Sequence, residues 1–138
     1  MKTLDVYMVF PGTCREALDF YSHALEGKAV TVQTFGETPG FGHMPPERIM
    51  YSVFEAEGVR FLASDGMDPT AIPPIGGNIT LTLNFTDVPT LESTFSRLAD
   101  GGKILMPVQD TFWGSRFGMC QDRFGAIWMV NCEGVAKG

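Results

Sequence analysis

Five residues of the first half recur in the second at a fixed spacing of 75: Phe10 and Phe85, Phe20 and Phe95, Ala24 and Ala99, Gly27 and Gly102, Lys28 and Lys103. The matches keep register with two kinds of hydrophobic period, which chance coincidence hardly supplies. Residues 2–10 alternate, with Leu4, Val6, Met8 and Phe10 on one side and Asp5, Tyr7 and Val9 on the other, as in a strand. Pro11-Gly12 ends that run, and Thr13 with Glu16 has the spacing of a capping box. Cys14, Ala17, Leu18, Tyr21, Ala24 and Leu25 then share one helical face before Gly27 stops the helix. In the second half Ile79, Leu81, Leu83 and Phe85 alternate with Asn78, Thr80, Thr82 and Asn84, and Asp87-Val88-Pro89 begins a helix that Gly101-Gly102 closes.

After each helix come three strand-like runs, 29–35, 49–55 and 59–64 in one half, 104–108, 116–121 and 126–132 in the other. The last two runs of each set are joined by Glu55-Ala56-Glu57-Gly58 and by Asp122-Arg123-Phe124-Gly125, which read as hairpin turns. Each half is therefore βαβββ, and the fold class is α+β: two tandem modules, 1–64 and 78–133, with a Pro/Gly-rich linker at 65–77, in one domain of 138 residues. The stretch 36–48 is longer than its counterpart at 109–115 and reads as a mobile loop or a lid. One helix covers only one face of a four-stranded sheet. The other face, toward which Asn78, Thr80, Thr82 and Asn84 point, is left for a cavity or for solvent.

Charge and cysteine content narrow the function. Sixteen acids against ten Lys plus Arg give a net charge of −6 with no basic cluster, so nucleic acid is not an expected partner. The run MKTLDVYMVFPG is broken by Asp5 and is not the apolar core of a signal peptide, and no stretch approaches membrane-spanning length. The expectation is a cytoplasmic protein with no membrane partner. Cys14, Cys120 and Cys132 are an odd number at no metal spacing and read as buried free thiols. Cys14 stands apart, because a helix N-terminus can lower a thiol pKa.

The βαβββ repeat, with FPGTCREALDFY (10–21), GGNITLTL (76–83) and above all LMPVQDTFWGSRFGMCQDRFGAIWMVNCE (105–133), resembles the vicinal oxygen chelate superfamily of glyoxalase I, bleomycin resistance proteins and extradiol dioxygenases. Within it the chain resembles the PhnB-like branch, some members of which carry a 3-demethylubiquinone 3-methyltransferase name. The resemblance implies curved mixed sheets around a cavity for a small molecule. In the metal-dependent relatives it implies four His, Gln or Glu ligands, one pair per module, from the first and last strands opposite the helix. Carried over by register, those positions fall on Asp5 and Thr80 and on Leu62 and Met129. A shift of one reaches Val6, Leu81, Ala63 or Trp128, and a shift of two reaches Asn78. One carboxylate does not make a site, so no metal and no cofactor is expected. His23 and His43 have no partner placed by spacing. Methyl transfer is not adopted either: the chain has no room for a doubly wound sheet and no glycine-rich turn after the first strand.

The loop QDTFWGSRFG (109–118) carries two readings. In one, Phe112 and Trp113 form a pocket wall, Arg116 offers its fork to a carboxylate, phosphate or enolate, and Asp110 orients Arg116 or acts as a base. In the other, Trp113 plugs the space between the modules while Asp110 pairs with Arg116 to fix the loop. The leading expectation is a metal-independent small-molecule binding protein or enzyme. Its ligand would meet Asp5, Tyr7, Thr80, Thr82 and Asn131 together with Asp110, Trp113 and Arg116, with no catalytic residue assigned. The alternatives are a metal-dependent lyase, isomerase or dioxygenase using Asp5 and His43, and an antibiotic-sequestering protein. Sheet edges that need covering add the expectation of a homodimer.

Overall fold

The computed structural model describes residues 2–68, 70 and 79–134. The chain runs β1 (Val6–Val9), α1 (Cys14–Ala24), β2 (Lys28–Thr34), a single 3-10 turn (Phe35–Glu37), β3 (Ile49–Ala56), β4 (Val59–Ser64), β5 (Leu81–Phe85), α2 (Val88–Ala99), β6 (Lys103–Asp110), β7 (Ser115–Gln121) and β8 (Ile127–Glu133). It divides into two compact units, 1–74 and 75–138. Each holds one open four-stranded mixed sheet, ordered β1-β4-β3-β2 in the first and β5-β8-β7-β6 in the second. In both, the first strand lies parallel to the last and the remaining pairs are antiparallel. This is the expected α+β tandem of βαβββ modules.

The spacing of 75 holds through strand, helix and second strand, from Val6 against Leu81 to Lys28 against Lys103, and drops to 66 at Ile49 against Ser115. The long stretch between β2 and β3 accounts for the change. It is anchored rather than free: Phe35 and Met44 are buried, Phe35 packs on Phe41 at 5.3 Å, and the Gly36 N–H donates to Pro46 O at 3.0 Å.

In the first unit Val6 and Met8 of β1 align with Phe61 and Ala63 of β4, and these with Phe54 and Ser52 of β3. That face meets α1. Phe54 and Phe61 stack at 4.7 Å, and Tyr21 of the helix meets Phe61 edge-on at 5.5 Å. In the second unit the same side collects Trp128, Val130, Cys132 and Cys120 under Leu91, Phe95 and Leu98 of α2, all buried, so Trp128 is core as its place beside Val130 predicts. Its indole N–H donates to Asp122 Oδ2 at 2.8 Å, while Asp122 Oδ1 accepts from the N–H groups of Phe124 and Ala126 at 2.9 and 3.0 Å. One buried carboxylate thus shapes the hairpin turn and ties it to the core.

The capping box expected at Thr13 does not form, since the Thr13 side chain makes no capping bond. The helix is capped from afar: Asp65 Oδ1 accepts from Cys14 N and its Oδ2 from Ile49 N, both at 2.8 Å, while the Asp65 N–H donates to Ile49 O at 2.8 Å. Asp65 is buried and belongs to the first unit rather than to a linker; 69 and 71–77 of the predicted linker, and Asn78, lie outside the described residues. The second helix begins as its sequence predicts, with Asp87 accepting from Thr90 N at 2.8 Å. That bond holds the Asp87 carboxyl below its ordinary range.

The repeated glycines have a shared reason. A Cβ at Gly27 would come within 2.5 Å of Glu55 O, and one at Gly102 would strike Gln121 O. Glu55 and Gln121 close equivalent strands, so in both units the chain leaving the helix crosses the end of the third strand at backbone contact. No helix among the described residues is long and apolar enough to cross a membrane.

Candidate functional site

Paired residues on neighbouring strands point to the same side, so register decides which side chains share the face that the helix leaves open. In the first unit Tyr7 aligns with Leu62 and Leu62 with Val53, while Tyr51 aligns with Gln33. The Tyr7 hydroxyl donates to Ser64 Oγ at 2.9 Å, and Ser64 Oγ also accepts from Gly66 N at 3.1 Å. Asp5 precedes β1 and forms an ion pair with Arg60 at 3.4 Å, and Arg60 also reaches Glu55 at 3.4 Å. Asp5 is thus engaged at the end of the sheet, off the line of Tyr7 and Leu62.

The open face of the second sheet carries two rows. Thr82, Met129, Met119 and Met106 align across β5, β8, β7 and β6. Beside them run Asn84, Asn131, Phe117 and Gln109. The Thr82 hydroxyl donates to Met129 Sδ at 3.8 Å, and Asn131 Nδ2 donates to Asn84 Oδ1 at 3.2 Å. One row is soft, polarizable thioether; the other is largely amide. Thr82 and Asn131 therefore share a face as expected, whereas Thr80 lies just outside the strand.

Arg116 and Asp110 fall elsewhere. Arg116 aligns with Cys132, Cys132 with Phe85, and Asp110 with Arg116, which puts this level on the α2 side of the sheet. Arg116 Nη2 donates to Glu92 of α2 at 2.8 Å and Nη1 to Asp110 at 3.0 Å, and both bonds push the guanidinium pKa further up. The sequence expectation groups this pair with Thr82 and Asn131 of the same sheet; the strand parity separates them. At the β6–β7 turn, Thr111 N donates to Ser115 O at 2.7 Å and Gly114 takes φ +88°, which turns the intervening side chains outward. Phe112 and Trp113 meet edge-on at 4.8 Å and are 83% and 61% exposed, so Trp113 does not plug a core.

The family's ligand positions can now be tested on the actual pairing. Leu62 faces Tyr7 rather than Asp5, and Met129 faces Thr82 rather than Thr80. A phenol bonded to a serine, a leucine, a threonine bonded to a thioether, and that thioether do not fit a hard divalent ion. No three His, Cys, Asp or Glu side chains gather at a metal-binding distance among the described residues. Cys14 offers no reactive alternative. Burial, then the charge of Asp65, pushes its thiol up to about 12, and burial pushes Cys120 up to about 11. The helix N-terminus is outweighed because the thiol has no water.

Met119 and Phe117 are absent from the expected site, whereas the alternation of β5 already turns Asn84 to the open face. The signal that finds them is the β7–β8 hairpin: once Gln121 is set against Ile127, Met119 meets Met129 and Phe117 meets Asn131.

A sequence model of the Glyoxalase/Bleomycin resistance protein/Dioxygenase superfamily matches residues 3–130. Protein YjdN of Escherichia coli (strain K12) is 31% identical over an alignment that covers 93% of each chain. The crystal structure of protein PA1353 from Pseudomonas aeruginosa is 35% identical, with a TM-score of 0.78 over 95% of this chain and 98% of that one. The PhnB protein of Bacillus cereus, at 20% identity, shares the fold with a TM-score of 0.77 over 95% of this chain and 99% of its own.

Proposed function

We propose, on the premise that the chain belongs to the Glyoxalase/Bleomycin resistance protein/Dioxygenase superfamily, that it is a metal-independent small-molecule binding protein of the PhnB-like type. The ligand lies against an open sheet face, such as the one that Thr82 and Asn131 share in the second unit; Tyr7 stands on the corresponding face of the first. The observation that carries this reading is the pairing of Tyr7 with Leu62 and of Thr82 with Met129, side chains that do not fit a hard divalent ion. Without an ion to hold paired oxygens, affinity comes from apolar contact and neutral hydrogen bonds, which the methionine row and its amide neighbours supply. The protein acts in the cytoplasm, where free thiols such as Cys14, Cys120 and Cys132 persist. It works as a homodimer, a state supported by apolar groups exposed along the edge strands: Val30 and Val32 on β2, and Ile104, Leu105 and Met106 on β6.

Native mass spectrometry of the full chain incubated with fractionated cell metabolites tests the binding claim. The wild type captures a small molecule in the presence of EDTA, and Met129→Lys, which puts a charge on the open face, loses it. Capture that EDTA abolishes contradicts the reading. Light scattering on the eluted protein tests the dimer, and a monomer at micromolar concentration refutes that part.

A further inference from the structure

We infer that the open face of the second sheet takes a neutral, planar molecule bearing an adjacent N–H and C=O, the edge of a lactam, imide or primary amide, gripped by Asn84 and Asn131. The inference rests on the proposed binding function and names the ligand class for that same surface. Asn84 and Asn131 are directly paired on β5 and β8, and the Nδ2 of one donates to the Oδ1 of the other at 3.2 Å. A carboxamide carries two donors and an acceptor oxygen. This bond uses the oxygen of one amide and the nitrogen of its neighbour, and it leaves Asn84 Nδ2 and Asn131 Oδ1 with no protein partner among the described residues. Exchanging oxygen and nitrogen in both side chains leaves the same outward pair of one donor and one acceptor. An incoming lactam satisfies both at once: its C=O accepts from Asn84 and its N–H donates to Asn131.

The surroundings fix the rest of the class. The two rows across this face, Thr82-Met129-Met119-Met106 and Asn84-Asn131-Phe117-Gln109, contain no charged side chain. The arginine that sequence reasoning offered to an anion is bonded to Glu92 and Asp110 on the other side. In the flanking rows of the same face Glu133 stands beside Asn131 and Lys103 beyond the methionines, so an anion at the asparagines meets a carboxylate before it meets a cation. Thioether sulfurs and the Phe117 ring favour a flat aromatic body.

Four probes of one ring size separate the possibilities by calorimetry and by the side-chain amide signals of 15N-labelled full chain: quinolin-2(1H)-one, its N-methyl derivative, quinoline-2-carboxylate and quinoline. The lactam binds about five- to tenfold more tightly than the N-methyl compound, the worth of one hydrogen bond to an otherwise unpaired acceptor, and it shifts the Asn84 and Asn131 amide signals. The double variant Asn84→Ala, Asn131→Ala still binds both compounds but no longer tells them apart. Equal binding of the lactam and its N-methyl derivative by the wild type, or tighter binding of the carboxylate, overturns the amide inference and leaves the proposed function standing. Absence of binding by all four overturns the amide inference, while native mass spectrometry against metabolites decides the proposed function by itself.

Discussion

Replacing Asp65 by alanine tests how the first unit holds together. Its two carboxylate oxygens accept from Cys14 N and Ile49 N, each at 2.8 Å, and all three residues are buried. Alanine leaves both N–H groups without an acceptor, one at the start of α1 and one at the start of β3. A buried donor stripped of its partner costs about 1–3 kcal/mol, so the pair together costs about 2–6 kcal/mol. Asparagine separates the contributions: its oxygen satisfies one N–H while its NH2 confronts the other, so it costs about 1–3 kcal/mol. Urea unfolding followed by far-ultraviolet circular dichroism reads the change as a shift in midpoint at constant slope. The order wild type, Asn, Ala is expected. An alanine variant within about 1 kcal/mol of wild type refutes the claim that Asp65 caps the helix, because two buried donors stripped of their acceptor cost more than that.

Gly27→Ala and Gly102→Ala each force a Cβ against the end of the third strand and cost about 1–3 kcal/mol in thermal or urea unfolding. Arg116→Ala leaves the affinity for quinolin-2(1H)-one within about twofold, since the guanidinium lies on the α2 side; a larger loss by calorimetry puts it on the binding face. The native protein resists thiol reagents at pH 8. Because the folded Cys14 pKa of about 12 lies above the unfolded value near 9, the native state keeps a proton that the unfolded chain has released. Its contribution to stability is complete below about pH 9 and is lost as pH rises toward 12, so the melting temperature falls over that interval and falls less in Cys14→Ala.

Much of this fold is written locally. The alternation of β5, the Asp87 cap of α2 and the hairpin turn at 122–125 are visible because each depends on residues a few positions apart. What is missed depends on residues far apart in sequence. Thr13 has the spacing of a cap, but Asp65, 51 positions beyond Cys14, takes the N–H of Cys14. The level along the first strands is also not legible, because the alternation that assigns Asp5 and Thr80 to a face is the same for Tyr7 and Thr82. Only the pairing with Leu62 and Met129 fixes the level. For Arg116 the signal lies in the alternation of β7. It shares parity with Gly118 and Cys120, and Cys120 is buried, so alternation alone places its side chain on the covered side.

Metal analysis of the full-length chain decides most directly whether these sheets work without an ion. Protein produced in medium supplemented with zinc, manganese, iron and nickel, and purified without chelator, is assayed by inductively coupled plasma mass spectrometry. The pairing of Tyr7 with Leu62 and of Thr82 with Met129 predicts far less than one divalent ion per chain, and quinolin-2(1H)-one binding that EDTA does not change. One ion per chain that EDTA removes and added metal restores, with ligand binding following it, contradicts the account.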